Sequence, residues 1–280
     1  MIGDRNGYVL ARENLIQVLT TLGSYRRDAV VVVGAQAVYL RSREVTEGPF
    51  QPFTLDSDLA IDPRILETVP PIRQTLADAG YQHRRGDPGL YWAPGSSDDQ
   101  PFDGAQVDIL VPEEFAAGSG RRDAGIPGDN MRAARRVAGL EAALYDKDLM
   151  AIAQVDATQG LLEAFVAGPA ALIVAKAQKI ADRGDDRLKA KDASDVFLLL
   201  QSYEGEELES RFAALSSNGE IQQPLSRSIA AVRDVFTAGS RGRELFAAAL
   251  GDDPRRAEFL EAYRALTREL AAAISMFPEP

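Results

Sequence analysis

Cysteine is absent from this chain of 280 residues, and histidine and tryptophan each occur once. The lack of cysteine excludes disulfides, zinc–thiolate sites and a thiol nucleophile. A Ser-His-Asp triad would have to be built on His83, and nothing around that residue marks a nucleophile site. No apolar run approaches the roughly 18 residues that a membrane span requires. The N-terminal residues lack the basic flank and apolar run of a signal peptide, so we expect a cytoplasmic protein outside the membrane.

Positive charge is also scarce, since 31 basic residues stand against 42 acidic ones and the net charge is −11. This balance argues against a general nucleic-acid coat protein, which needs a positive field. It leaves room for a local basic groove. The densest basic cluster comprises Arg121, Arg122, Arg132, Arg135 and Arg136. The cluster is interpreted either as a solvated loop and helix face or as a site for a polyanion.

Hydrophobic periodicity divides the chain into a part with strands and a part with helices only. Strands are predicted at 29–33, 53–61, 81–93, 105–111, 148–154 and 161–166, with helices at 9–22, 36–41 and 65–79. Pro70-Pro71 must break or restart the last of these helices. Ala- and Leu-rich helices are predicted at 169–182, 189–203, 206–215, 225–250 and 255–275. We therefore expect an α+β domain over residues 1–168, with a mixed sheet and flanking helices, followed by an all-helical domain over residues 169–280.

Three aspartates in predicted strands are the main candidates for chemistry. Asp56 and Asp58 are two residues apart, so their carboxylates project from one face of a strand, about 7 Å from each other. Such a pair alone is common, and an exposed edge strand with solvated aspartates also explains it. Asp108, however, lies between Val107 and Ile109, and an acid among apolar strand residues usually has a partner or a metal.

A turn of small residues precedes these acids. The β-branched run that ends at Val33 leads directly into Gly34-Ala35, where a small residue lets backbone N–H groups and a helix N-terminus approach a phosphate. Carboxylate oxygens are ligands that suit Mg²⁺, which also keeps waters and substrate phosphates. Asp56, Asp58 and Asp108 are therefore candidate ligands of two magnesium ions that act on a phosphate ester.

In this order, the Gly34-Ala35 turn, the Asp56-Ser57-Asp58 triplet and Val107-Asp108 resemble the nucleotidyltransferase superfamily that includes DNA polymerase beta. The resemblance implies a nucleotidyltransferase-like fold and a Mg²⁺-dependent transfer of an NMP from an NTP to a hydroxyl. It assigns metal binding and catalysis to Asp56, Asp58 and Asp108, and triphosphate binding to the backbone of Gly34 and Ala35. Two features depart from the pattern. Alanine stands where the family commonly has a second glycine or a serine, and nineteen residues (37–55) separate the turn from Asp56.

A later stretch is similar to the AbiEii branch of that superfamily, which includes the MenT-type toxins of bacterial toxin–antitoxin and phage-defence pairs. The residues that carry this similarity run from Ala170 to Lys176, then Lys179 and Arg183, then Lys191 to Asp195. The resemblance implies Lys176 at the nucleotide phosphates, Asp195 in a supporting role, an RNA acceptor such as a tRNA 3′ end, and an antitoxin partner. The arginine cluster is then the place for the RNA backbone.

The residues of this stretch also have a simpler interpretation. Lys176, Lys179 and Arg183 follow i, i+3 and i+7 spacing, so they form one cationic helix face that either binds triphosphate or pairs with nearby aspartates in solvent. Asp192 and Asp195 either orient the lysines or neutralise the start of a helix.

Two other functions stay open at this stage. One is the same transfer to a small molecule such as an aminoglycoside, which the acidic net charge also suits. The other is a catalytically silent binding module on the same fold.

Overall fold

The computed structural model describes residues 3–23, 28–42, 54–66, 70–96, 105–118, 122–129, 132–155, 162–182 and 186–278. These residues form two compact units. The first contains the described residues of Met1–Ala37, Pro52–Val137 and Lys147–Ala167. The second contains those of Val38–Gln51, Ala138–Asp146 and Gly168–Pro280. Each unit is therefore discontinuous along the chain, whereas the predicted domains were continuous and met at residue 168.

The first unit is built on a mixed sheet. Its strands are β1 (Val30–Val33), β2 (Asp56–Ile61), β3 (Gln82–His83), β4 (Leu90–Trp92), β5 (Gln106–Pro112), β6 (Asp123–Ala124), β7 (Ala134–Val137), β8 (Lys147–Ile152) and β9 (Leu162–Ala167). The order across the sheet is β3-β4-β5-β2-β1-β9-β8, and β7 pairs with both β5 and β6. Strands β2 and β5 run parallel, while β1 and β2 run antiparallel.

The centre of this sheet is β1, β2 and β5. All four valines of β1 are buried, as expected for β-branched residues in a central strand. Helix α1 (Gly3–Leu22) packs against β2 and β5. Its Asn14 lies beside Ser57, whose hydroxyl donates a 3.0 Å hydrogen bond to the carbonyl of Ala11. Because side chains alternate along a strand, the residues on either side of Ser57 project from the face opposite α1.

Local sequence explains where several helices and strands begin and end. Helix α2 (Gly34–Arg41) starts directly at the end of β1. Helix α3 (Ile72–Asp78) begins directly after Pro71, so the restart predicted at Pro70-Pro71 within the helix over 65–79 is confirmed. The predicted strand 81–93 is two short antiparallel strands, β3 and β4, because Gly86 and Gly89 adopt positive φ between them. Phe53, the predicted start of β2, lies outside the described residues.

The second unit is helical. It contains α4 (Pro169–Asp182), α5 (Asp186–Ser202), α6 (Gly205–Ser216), α7 (Gln222–Val232), α8 (Arg241–Leu250) and α9 (Arg256–Ala273). Its core includes an aromatic stack in which the Phe246 and Tyr263 rings are 4.9 Å apart and inclined by 18°. None of the described helices is both long and apolar enough to cross a membrane. An α+β chain with a mixed sheet and a helical C-terminal region was therefore predicted correctly.

The predicted helix over 225–250 is interrupted in the structure. A π-helical turn spans Arg233–Thr237, and the N–H of Ala238 donates to the carbonyl of Arg233. Gly239 follows, and a Cβ there would lie 2.4 Å from the carbonyl oxygen of Asp234. A close backbone approach that only glycine permits thus separates α7 from α8.

Candidate functional site

The three candidate aspartates lie on two neighbouring strands of the first unit. Strands β2 and β5 pair in a register that sets Asp58 opposite Asp108 and Asp56 opposite Gln106. Paired residues of parallel strands project from the same face, and residues two apart share that face. Asp56, Asp58 and Asp108 therefore lie together on the side of the sheet away from α1. The predicted placement of Asp56 and Asp58 on one strand face is confirmed.

Asp108 is the buried member of the group, with 5% of its surface exposed. Arg135 donates a 2.6 Å hydrogen bond from Nη2 to Asp108 Oδ2, whereas Oδ1 is buried without a partner among the described residues. Burial raises the pKa of Asp108 to about 7, since the attraction of Arg135 is outweighed by desolvation together with repulsion from Asp58 and Asp56. The three carboxylates are therefore close enough to influence one another's charge.

Asp56 accepts a hydrogen bond from Gln106, a residue that was not predicted to belong to the site. Gln106 Nε2 donates a hydrogen bond to Asp56 Oδ1 across the β2–β5 pair, while Gln106 Oε1 is buried without a described partner. The backbone N–H of Asp56 donates to the hydroxyl of Thr54 at 3.1 Å. Gln106 stands two residues before Asp108, as Asp56 does before Asp58, so the shared parity was a signal that could have found it.

Gly34 brings the α2 turn against the aspartates. Its φ is 67°, and a Cβ at this position would lie 1.9 Å from Asp58 Oδ2. A glycine is therefore required both by the left-handed backbone and by the close approach of the carboxylate. Ala35 is buried in the first turn of α2, and the side chain of Gln36 accepts a 2.8 Å hydrogen bond from Arg12 Nε. The turn places the start of a helix next to Asp58.

Two features of the site favour a divalent cation. A bound positive charge would interact with the buried Asp108 oxygen that has no donor among the described residues, and it would reduce the repulsion among the three carboxylates. In the described part of the chain, however, no group of three or more His, Cys, Asp or Glu side chains is arranged to hold a metal ion. Gln106 and Arg135 engage two of the three carboxylates instead, so a cation would have to displace or reorient these side chains.

The other predicted nucleotide-binding residues belong to the helical unit. Lys176 is 3% exposed, and its Nζ lies 2.7 Å from Asp192 Oδ1 and 2.5 Å from Asp195 Oδ2. The side chain of Lys179 is 39% exposed and lies 3.3 Å from Asp192. The carboxylates orient the lysines, which is one of the two roles predicted for them. Arg183 lies outside the described residues.

The arginine cluster is engaged within the first unit. Arg135 and Arg136 lie on strand β7, so the predicted helix face is wrong there, and β7 pairs in parallel with the end of β5. Arg135 faces Asp108, and Arg136 donates to the backbone carbonyls of residues 116–118. Arg122 and Arg132 are exposed, and Arg121 lies outside the described residues. Arg135 and Arg136 thus make internal contacts.

Comparison of the chain with protein-family models, with curated proteins and with solved structures finds no match.

Proposed function

We propose that the chain is a Mg²⁺-dependent nucleotidyltransferase with a nucleotidyltransferase-like fold in its first unit. The observation that carries the proposal is the β2–β5 register, which pairs Asp58 with Asp108 and adds Asp56 on the same face. Gly34, the first residue of α2, lies against the Asp58 carboxylate, so a helix N-terminus lies beside the acids. Backbone N–H groups at a helix start and a cation site next to each other suit a triphosphate.

The reaction transfers a nucleotidyl group from an NTP to a hydroxyl. The hydroxyl oxygen bonds to the α-phosphorus, the bond from this phosphorus to the bridging oxygen breaks, and pyrophosphate leaves. Mg²⁺ ions held by Asp56, Asp58 and Asp108 would supply positive charge at the transferred and leaving groups. Asp108 Oδ1, which has no described donor, accepts the proton of the attacking hydroxyl.

The supporting groups hold the acids in place. Gln106 orients Asp56 by its amide hydrogen bond, and Arg135 fixes one oxygen of Asp108 and leaves the other available. The backbone of Gly34 and Ala35 binds triphosphate oxygens. In the helical unit, Lys179 is the more accessible of the two described lysines predicted to bind phosphate, while Lys176 maintains the positions of Asp192 and Asp195.

The sequence resemblance favours RNA as the acceptor. It implies a toxin that modifies a tRNA 3′ end and is inhibited by an antitoxin. Exposed Arg122 and Arg132 are the described members of the arginine cluster that suit an RNA backbone. A small cationic acceptor is the second candidate. The observation in its favour is that Arg135 and Arg136 are already engaged by Asp108 and by backbone carbonyls, in a chain whose net charge is −11.

The test is a transfer assay with each α-labelled NTP in turn, Mg²⁺ and total bacterial tRNA, with aminoglycosides in parallel reactions. We expect label to move to an acceptor with the wild type and not with Asp56→Ala. Asp87→Asn is a matched control, because Asp87 is an acid whose side chain is 42% exposed and pairs with Arg84. Transfer to RNA should weaken as salt rises, whereas transfer to a small molecule should depend on salt much less.

Equal transfer by the wild type and Asp56→Ala would contradict the assignment of the acids. No transfer to either acceptor class, with the chain folded and binding Mg²⁺–NTP, would contradict both acceptor assignments. No binding of Mg²⁺–NTP at all would favour a silent module on this fold.

A further inference from the structure

Arg135 lies on the same face of the sheet as the three aspartates. Strand β7 pairs with the last three residues of β5, where Leu110 stands opposite Arg135. Leu110 is two residues after Asp108, so its partner Arg135 shares the face of the acids. The guanidinium reaches Asp108 with one nitrogen, since Nη2 lies 2.6 Å from Oδ2. Arg135 therefore places a positive charge directly beside the proposed metal ligands.

A second buried aspartate of the first unit shows the more usual way in which an arginine pairs. Asp62 is 6% exposed, and Arg64 donates from Nε to Oδ1 at 2.9 Å and from Nη2 to Oδ2 at 2.7 Å. This fork engages both oxygens of the carboxylate. Asp108 is similarly buried, at 5% exposed, yet Arg135 contacts only Oδ2, and Oδ1 has no partner among the described residues. The single contact at Asp108 thus leaves most of the guanidinium for another acceptor.

The remaining N–H groups of Arg135 are accessible to a ligand. Within the described part of the chain, Arg135 forms no hydrogen bond or ion pair other than that with Asp108. Its side chain is 34% exposed, so a solute can reach the guanidinium from solvent. A guanidinium carries several N–H donors in a planar fork that matches phosphate oxygens. Arg135 is therefore able to keep its contact with Asp108 and to bind a phosphate at the same time.

The charge of Arg135 also acts on a metal ion. A guanidinium in contact with Asp108 repels a divalent cation that approaches the same carboxylate, and this repulsion offsets part of the attraction of the three aspartates. An NTP changes the balance, because its phosphates attract both the guanidinium and the metal ion. The metal ion and the nucleotide should therefore each bind more tightly when the other is present.

We propose that Arg135 binds the phosphates of the NTP while it contacts Asp108, and that it thereby makes metal binding at the aspartates depend on the nucleotide. This inference rests on the proposed nucleotidyl transfer and adds Arg135 to the residues that bind its substrate. Without nucleotide, Arg135 lowers the affinity of the aspartates for Mg²⁺. With nucleotide, the same guanidinium neutralises phosphate charge next to Asp108. The alternative is an arginine that only holds Asp108 in place, and its loss would weaken metal binding with or without nucleotide.

The test is titration of the full chain with Mn²⁺, with and without the α,β-methylene analogues of the common NTPs, while electron paramagnetic resonance measures the free ion. The methylene group blocks transfer, so the experiment measures binding alone. For the wild type, we expect an analogue to tighten Mn²⁺ binding by about 5–150-fold, the usual range for coupled sites. Arg135→Met should bind Mn²⁺ without nucleotide as tightly as the wild type or more tightly. The same variant should bind the analogue about tenfold more weakly, because a charge-assisted hydrogen bond is lost.

Two further variants control for charge and folding. Arg73→Met removes an exposed arginine of α3 in the same unit and should leave both affinities unchanged. Arg135→Lys keeps the positive charge beside Asp108 but lacks the fork, so it should fold like the wild type and bind the analogue several-fold more weakly.

The outcomes separate this inference from the proposed function. Weaker Mn²⁺ binding by Arg135→Met without nucleotide would overturn the inference, because it would show that Arg135 only holds Asp108. Unchanged analogue affinity in both Arg135 variants would also overturn it. Either result leaves the aspartate assignment in place if Asp56→Ala loses Mn²⁺ binding. Equal Mn²⁺ binding by the wild type and Asp56→Ala, or none by the wild type, would overturn the proposed function and this inference with it.

Discussion

Replacement of Lys176 by methionine should destabilise the helical unit strongly. Lys176, Asp192 and Asp195 are each at most 3% exposed, and Nζ lies 2.7 and 2.5 Å from the two carboxylates. Methionine fills similar space but leaves two buried carboxylates without their main counter-charge. Removal of one partner from a buried ion pair typically costs about 3–5 kcal/mol. Lys179 and Lys191, at 3.3 and 3.8 Å, compensate in part, so we expect the lower end, about 3 kcal/mol.

The effect should also depend on pH. In the wild type, burial raises the pKa of Asp192, but Lys176 and Lys179 outweigh burial and bring it to about 2. A lowered carboxylate pKa stabilises the fold above its unfolded value of about 3.9, and this contribution is lost only as the pH falls toward 2. Without Lys176, burial dominates and the carboxylate pKa rises. The variant should then recover as the pH falls from 7 to 5, and its difference from the wild type should narrow.

Urea unfolding at pH 7 and pH 5 measures both effects. Far-UV circular dichroism follows the helices, while fluorescence of Trp92, the single tryptophan, follows the sheet unit. With a slope of about 1.5 kcal/mol per M, a loss of 3 kcal/mol moves the midpoint by about 2 M. Lys179→Met is the control, and because its side chain is 39% exposed it should lose less than about 1 kcal/mol. A Lys176→Met loss below about 1 kcal/mol, or a loss independent of pH, would refute the reasoning.

Two further predictions concern the aspartate site. Gly34→Ala should abolish nucleotide transfer. The positive φ alone costs about 1–3 kcal/mol for alanine, and the new Cβ, 1.9 Å from Asp58 Oδ2, should destabilise the chain further. Gly86→Ala, at positive φ but with open space, should cost only about 1 kcal/mol in the same unfolding assay, and equal losses would contradict the close contact. Asp108→Asn should abolish transfer yet raise stability by roughly 1–3 kcal/mol at pH 7.5, because the raised pKa of Asp108 destabilises the charged form. This gain should fade toward pH 4, where Asp108 is protonated in the folded state, and a gain that persists there would show a cause other than charge.

The strands at the candidate site could be predicted because their sequences are locally consistent. Four successive valines specify a buried strand, and the alternation around Ser57 predicted that Asp56 and Asp58 share a face. A glycine directly after the β-branched run likewise predicted the turn at Gly34. These signals depend on neighbouring residues only, so one sequence was enough to find them.

Contacts between distant segments could not be predicted in the same way. The pairing of Arg135 with Asp108 depends on a parallel strand pair whose register places Arg135 opposite Leu110. The sequence around these arginines fits a solvated loop and helix face or a polyanion site, because no local pattern specifies so short a strand. The buried state of Lys176 similarly depends on how α4 and α5 pack, which side-chain spacing alone does not determine.

The break in the predicted helix over 225–250 has a local signal in the sequence. Ala238-Gly239-Ser240 combines a poor helix former with a residue that favours helix starts. The apolar periodicity across the segment favours one continuous helix instead.

Binding of a paramagnetic divalent cation at the aspartates tests the central proposal most directly. Mn²⁺ replaces Mg²⁺ at oxygen ligands, and electron paramagnetic resonance counts the free ion in the presence of a non-hydrolysable NTP. We predict that the wild type and Asp87→Asn bind Mn²⁺ together with the nucleotide, and that Asp56→Ala and Asp58→Ala lose this binding while they remain folded. Equal Mn²⁺ binding by all four proteins, or none by the wild type, would contradict the assignment of Asp56, Asp58 and Asp108 as the metal site of a nucleotidyltransferase.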